Sequence, residues 1–318
     1  MIMKGGKRDH LYYIDVLRIV SVTAVILAHA HLEYVYYMYW SVLIFTAISG
    51  AMMLGRDNLD IGRLYTHNIC RIVTAFAFWS AVYSLLQNLL FPLLDGNTVN
   101  IKLIITSFVE GQYHLWYCYM ITGLFILAPC FKAVIDRDKN LGLYYCLVAF
   151  VFSIFIPSFQ NIDILKWTAT PTGSIGLGGL RFSFYFVLGY YLVTYDLSPA
   201  FRKIIYIAGA VFLIPYIAFP NTAFFNIFEA VVVIALFVAA RYLIDPKNSR
   251  VKKVIAALAD AVFAVYLIHD IFNIIYVRIF GREHSAVYDL GKFFFTLILS
   301  FAVSLLIRKC KRISAYIS

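Results

Sequence analysis

Charge is scarce in this 318-residue chain: Asp, Glu, Lys and Arg make up 14% of it, against 62% hydrophobic residues. Soluble globular chains carry about a quarter charged residues. The shortfall excludes a disordered chain and argues against a cytosolic or secreted enzyme. Polar stretches long enough for a soluble domain are missing. So are internal repeats and low-complexity segments. Cysteine is sparse, and Cys70, Cys118, Cys130, Cys146 and Cys310 form no CxxC pair, which argues against a metal or redox motif. Cys118, Cys130 and Cys146 lie in apolar runs and read as packing residues. A cleavable leader is not expected either. The start, Met1 to Arg8, has a leader's positive charge, but the following apolar run carries Asp15 and Arg18 and no small-residue cleavage site. That run reads as a retained first span.

What the chain does have is apolar runs separated by polar or Pro/Gly-rich breaks. A membrane-spanning helix needs about 20 residues. The runs give ten candidate helices, at 12–32, 35–54, 72–94, 114–135, 141–157, 180–196, 204–220, 222–244, 256–279 and 286–307. The expected fold is an all-α polytopic membrane protein, a single domain over 1–318 with no appended soluble domain. The run 99–109 reads as a short interfacial helix, and the longest connection is 158–179.

The net charge of +10 has a topological explanation that needs no nucleic acid. With both termini cytoplasmic, the inner segments hold Lys4, Lys7, Arg8, Arg56, Arg63, Arg71, Lys132, Arg137, Lys139, Arg202, Lys203, Arg241, Lys247, Arg250, Lys252, Lys253, Arg308, Lys309, Lys311 and Arg312. That is 20 of the 27 Lys and Arg, which satisfies the positive-inside rule. Tyr34, Tyr36, Tyr37, Tyr39 and Trp40, and later Tyr113, Trp116 and Tyr117, cluster near run ends and read as interface anchors. The expected location is the cell membrane, as a multi-pass protein of a bacterial inner membrane.

A charge at mid-helix in lipid costs about 2.5–3.5 kcal/mol on insertion scales, so intramembrane polar residues are the informative ones. In the first run, Asp15 and Arg18 are three apart and share a helix face. His29 returns to that face about three turns later, roughly 16 Å along the axis. One reading is an Asp–Arg pair reaching to the cytoplasm plus an unrelated outer histidine. The other is a functional stripe. The same topology puts His29, His114, His269 and Glu229 in the outer half of the membrane, and Arg18 and Arg71 in the inner half. Arginines on the inner side suit a polyanion, and a neutral histidine above suits a general base on a hydroxyl. Arg181 and Glu229 stand out on the cost of burial alone.

At these residues the sequence resembles the membrane-bound acyltransferase family 3, over nearly the whole chain. Asp15-Val-Leu-Arg18, ten residues and His29 match the family's Arg-x10-His motif. Leu43 to Gly50, ending Ile-Ser49-Gly50, is similar to its Phe-Phe-x-x-Ser-Gly element. Tyr113-His114-Leu115-Trp116-Tyr117, followed by Pro129, resembles its His-Leu-Trp-Phe element. Phe186-Val-Leu-Gly189-Tyr-Tyr is similar to its Phe-x-x-Gly-Tyr segment, and Val265-Tyr-Leu-Ile-His269 to its Ile-Tyr-Leu-x-His signature. Two positions depart from the pattern. Val262 and Ala264 stand where Ser and Gly are usual, and one arginine, Arg71, stands where a pair is expected.

The resemblance implies a ten-helix fold that moves an acyl group, usually acetyl, from cytoplasmic acyl-CoA to an extracytoplasmic glycan, lipid-linked sugar or similar hydroxyl. Length and layout are similar to the single-domain members, the enterobacterial common antigen O-acetyltransferase type among them. It implies His29 as catalytic base or acyl relay, and Arg18 and Arg71 as contacts to the acetyl-CoA phosphates, with Asp15 orienting Arg18. It implies His114, Trp116 and His269 as lining for the acceptor, a set to which Ser49, Arg181 and Glu229 are added. No metal is expected. A transporter or flippase for a polar or sugar-linked solute is the competing reading, with the stripe lining a path. No inverted repeat or pair of broken helices supports it.

Overall fold

The structure is a computed structural model that describes residues 10–30, 35–159, 177–220, 222, 224–283 and 285–309. Within these it is helical, with no strand. The helices are α1 (Tyr12–Ala30), α2 (Trp40–Leu54), α3 (Cys70–Leu85), α4 (Ile101–Glu110), α5 (Trp116–Arg137), α6 (Lys139–Phe150), α7 (Arg181–Thr194), α8 (Pro199–Ala218), α9 (Phe225–Leu243), α10 (Ser249–Phe280) and α11 (Ala286–Lys309). Eight helical stretches among the described residues are long and apolar enough to cross a membrane, and α2 and α7 are shorter. The chain is an all-α polytopic membrane protein. Lys4, Lys7, Arg8, Lys311, Arg312, Cys310 and most of the 158–179 connection lie outside the described residues.

Two runs are longer than expected by about two turns or more. The 72–94 run extends back to Ile61 as one stretch, Ile61–Leu94, through a π-helical turn at Leu64–Ile69. Asp60 caps its start, accepting from the Arg63 N–H at 2.5 Å. The 256–279 run becomes a 32-residue helix. The 99–109 run is α4, capped by Asn100, with no buried residue. Among the three cysteines read as packing residues, Cys118 and Cys146 are buried but Cys130 is exposed. Exposed apolar surface is ordinary for a helix wall that meets lipid rather than protein.

The helices divide into two compact units: one of residues 1–28, 33–59 and 127–256, the other of 29–32, 60–126 and 257–318. In the first unit, α2 packs against α7. A Cβ on Gly50 would overlap the Phe186 carbonyl, and a Cβ on Gly189 would overlap the Ala47 carbonyl. The two glycines thus let two backbones touch, the close approach that small residues allow in membranes. This contact gives a physical reason for the Ser49-Gly50 and Phe186-x-x-Gly189 motifs. At about 1.5 Å per residue these helices span roughly 21–23 Å, short of a hydrocarbon core of about 30 Å. Their burial is by neighbouring helices: Phe184, Tyr185, Phe186 and Val187 are 5% exposed or less. Arg241 of α9 closes the end of α7, donating to the Leu192 and Tyr195 carbonyls at 2.6 Å each and pairing with Asp196 at 2.6 Å.

In the second unit, polar ties bind α10 to its neighbours. The Tyr83 hydroxyl of α3 donates to the Leu267 carbonyl at 2.9 Å. Tyr266 donates to the His114 carbonyl. Thr296 of α11 donates to Asn273 at 2.8 Å. Arg278 grips Asp95 through two nitrogens, at 2.5 and 3.1 Å, and that guanidinium holds the Asp95 carboxyl below its usual range. The hydrogen bonds of Tyr83, Tyr266 and Thr296 matter because the hydrophobic effect does not drive helices together in lipid; a hydrogen bond between buried helices contributes about 0.6–2 kcal/mol.

Candidate functional site

His29, His114 and His269, all residues of the second unit, come together from three separate elements. His29 ends α1. His114 sits in a single 3₁₀ turn, Tyr113–Leu115, just before α5. Gly111 sets that turn. It ends α4 at φ 73° and ψ 169°, a conformation open to glycine, and the side chain of Phe76 fills the space a Cβ would need. His269 lies in the buried middle of α10.

The ring centroids of His29 and His269 are 5.3 Å apart and nearly parallel, at 23°. His114 and His269 are 4.7 Å apart at 67°, and His29 and His114 are 6.3 Å apart. Tyr113 meets His29 edge-on at 5.1 Å, and Tyr83 and Tyr266 meet His114 edge-on at 5.4 and 5.6 Å. His114 and His269 are buried, and His29 is half-buried.

One tautomer follows from the hydrogen bonds. His269 Nδ1 lies 2.6 Å from the Tyr266 carbonyl oxygen. A carbonyl only accepts, so Nδ1 carries the proton when the ring is neutral and Nε2 keeps its lone pair. Among the described residues, His269 Nε2, His29 Nδ1 and both nitrogens of His114 have no hydrogen-bond partner. Buried polar atoms are satisfied in the great majority of cases. Several unpaired nitrogens in one cluster leave hydrogen-bonding capacity for another polar group.

Beside the imidazoles lies a carboxylate. Asp270 is 3% exposed. It accepts from Gln112 Nε2 at 2.6 Å, the Tyr113 hydroxyl at 2.9 Å and Asn273 Nδ2 at 3.3 Å. Gln112 in turn accepts from Gln87 at 3.0 Å. Gln112, Asp270, Asn273 and Thr296 were not singled out in the sequence. The signal for Asp270 was present: an acid in mid-span carries the same cost as Arg18 or Glu229. Among the described residues, no group of three or more His, Cys, Asp or Glu side chains is arranged to hold a metal ion.

A family model described as an acyltransferase domain, acyltransferase family 3, matches residues 11–309. The chain belongs to this family. No curated protein and no solved structure matches the chain. Family membership makes it a membrane acyltransferase in the general sense, and the stretch matched includes every residue of the histidine cluster.

The remaining sequence-derived positions of this acyltransferase fall in separate places. In the second unit, Arg71 is exposed at the start of α3, its guanidinium 5.4 Å over the Phe263 ring. Trp116, two residues after His114, is 38% exposed, and its ring meets Tyr117 edge-on. In the first unit, Asp15 is buried and faces both Arg18, at 3.5 Å, and His10. Ser49 is half-buried beside Gly50 on α2. Arg181 and Glu229, both picked out on cost alone, form an ion pair with each other. Glu229 is 0% exposed and the Arg181 side chain 22%. The Arg181 guanidinium also lies 5.3 Å over Tyr39. Arg181 Nε and Glu229 Oε1 have no partner among the described residues. The pairing was illegible in the sequence because 48 positions separate the two.

Proposed function

We propose that this membrane acyltransferase moves an acyl group, acetyl foremost, from cytoplasmic acyl-CoA to a hydroxyl of an extracytoplasmic cell-envelope glycan or lipid-linked sugar. It works as a single transferase domain in a bacterial inner membrane, with both termini cytoplasmic. The observation that carries this reading is the meeting of three imidazoles from α1, the Tyr113–Leu115 turn and α10, with unfilled nitrogens inside an apolar bundle. A neutral imidazole in such a site is a competent base for a hydroxyl. Burial of His114 and His269 restricts the access of water, which protects a thioester from hydrolysis.

In this reading Arg18, oriented by Asp15, and Arg71 hold the phosphates of the acyl-CoA. Guanidinium groups suit phosphate because their donors form a planar fork. His29 takes the proton from the acceptor hydroxyl, or carries the acyl group itself in a two-step course. His114, His269 and Trp116 contact the acceptor or the thioester. Ser49, Arg181 and Glu229 contact the acceptor, the last two through the unfilled Arg181 Nε donor and Glu229 Oε1 acceptor.

Mass spectrometry of envelope glycans from cells with and without the protein tests the reading. The expected result is an acetyl mass present only with the protein, and absent with His29→Ala at equal membrane abundance. Identical glycan and lipid-linked sugar spectra in all three strains would remove the acceptor assignment.

A further inference from the structure

Asp270 has no role in the reading above, yet it sits at the centre of a built polar network. All three of its hydrogen-bond donors are neutral: an amide of Gln112, the Tyr113 hydroxyl and an amide of Asn273. Two of these donors are themselves oriented. Gln87 donates to the Gln112 oxygen, and Thr296 to the Asn273 oxygen. Such dipoles solvate a carboxylate without cancelling its charge. A lysine or arginine in contact would have cancelled it. The charge is therefore kept, at 3% exposure, where an unneutralised ion is costly.

What faces that charge is the histidine cluster. His29, His114 and His269 all lie within electrostatic reach of Asp270. Lys292 of α11 is also in reach, without being an ion-pair partner among the described residues. Tyr83 and Tyr113 are the other titratable groups within reach of the carboxylate among the described residues. The same bonds fix geometry. Gln112 and Tyr113 immediately precede His114, so holding both to Asp270 holds the turn. That turn keeps His114 at 4.7 Å from His269 and Tyr113 edge-on to His29.

We propose that Asp270 is a positioning residue of the transfer reaction and the counter-charge for the imidazolium that forms during it. This rests on the reading that the cluster takes the acceptor's proton. The proton leaves the acceptor O–H for an unprotonated imidazole nitrogen, and the oxygen's electron pair forms a C–O bond to the thioester carbonyl carbon. The C–S bond breaks, and its electron pair leaves on the CoA sulfur. The sulfur then takes the proton back from the imidazolium. Between these two proton movements the cluster carries one positive charge, and Asp270 supplies the matching negative charge where water cannot. Fixed charge aimed at charge that develops in the transition state is a large contributor to catalysis.

The alternative is that Asp270 only ties the Gln112–Tyr113 turn to α10. Asp270→Asn separates the two, because it keeps shape and an acceptor oxygen but removes the charge. The test uses purified full-length protein in proteoliposomes, with labelled acetyl-CoA and an envelope glycan fraction, rates being normalised to folded protein. The expected result is a kcat lower by about 10²-fold, KM for acetyl-CoA and acceptor within about twofold, and a thermal midpoint equal to or above wild type. Asp270→Glu, which keeps the charge and disturbs the geometry more, is expected to be more active than Asp270→Asn. A mere tie predicts the reverse order for those two variants. Wild-type kcat in Asp270→Asn, or Asp270→Glu no more active than Asp270→Asn, overturns the proposal. A wild-type protein that transfers no acyl group overturns the function reading and this inference with it. Transfer by wild type matched by Asp270→Asn overturns this inference alone.

Discussion

The two units bury polar groups in opposite ways. In the second unit the imidazoles are left with open nitrogens, while the one carboxylate among them is fully solvated by neutral donors. In the first, Arg181 and Glu229 neutralise each other and keep only one open atom each. Open nitrogens beside a preserved charge can accept a proton and tolerate the cation that results. A closed ion pair cannot, because its charge is already spent on its partner. It can orient a hydroxyl-bearing ligand through its remaining donor and acceptor. In the proposed function the contrast corresponds to chemistry at the histidine cluster and to acceptor recognition at the Arg181–Glu229 pair.

Replacing one imidazole attacks the contrast most strongly. His29→Ala and His269→Ala are each expected to lower transfer by about 10²–10⁴-fold, the range for a general acid–base group, with folded protein retained. Gel filtration in detergent and a labelled-acetyl assay check both halves. Activity near wild type in His29→Ala would remove it from the chemistry. Glu229→Ala should behave differently, because it strands a guanidinium. A loss of about 3–5 kcal/mol in stability is expected, read as a lower thermal midpoint or poor accumulation. The paired replacement Arg181→Met with Glu229→Leu sharpens this result. It should recover stability to within about 1 kcal/mol of wild type or exceed it, while acceptor KM rises about tenfold and kcat changes little. A double variant with wild-type KM would reduce the pair to a structural element. The smallest effect is expected of Arg18→Ala, which should weaken acyl-CoA binding by about tenfold, or roughly 1.4 kcal/mol, without altering acceptor KM. Unchanged acyl-CoA affinity contradicts its assigned role.

These expectations draw on parts of the molecule that were unequally legible in the sequence. The spans were readable because the apolar runs are long and the breaks polar, and all of the expected runs became helices. The short α2 and α7 also read as runs, but their packing did not. That contact depends on Gly50 and Gly189 meeting opposite carbonyls, which no local pattern encodes. His29, His114 and His269 were readable because a polar residue in lipid is conspicuous, and their meeting is what three separate runs could only hint at. Asp270 escaped notice because it lies one residue beyond His269, where the matching motif ends. Gln112, Asn273 and Thr296 are uncharged, so they raise no insertion cost large enough to see. Cys130 was misread because an apolar neighbourhood in a membrane protein describes a lipid-facing wall as well as a core.

The central claim is that the histidine cluster transfers an acyl group from a CoA thioester. Purified protein in proteoliposomes, given acetyl-CoA and an envelope glycan fraction, tests it through the release of free CoA thiol coupled to label gained by the glycan. Equal moles of thiol and acetylated glycan are expected with wild type, and neither above background with His29→Ala. Equal turnover by the two proteins, or none by wild type with any acyl-CoA, would contradict it.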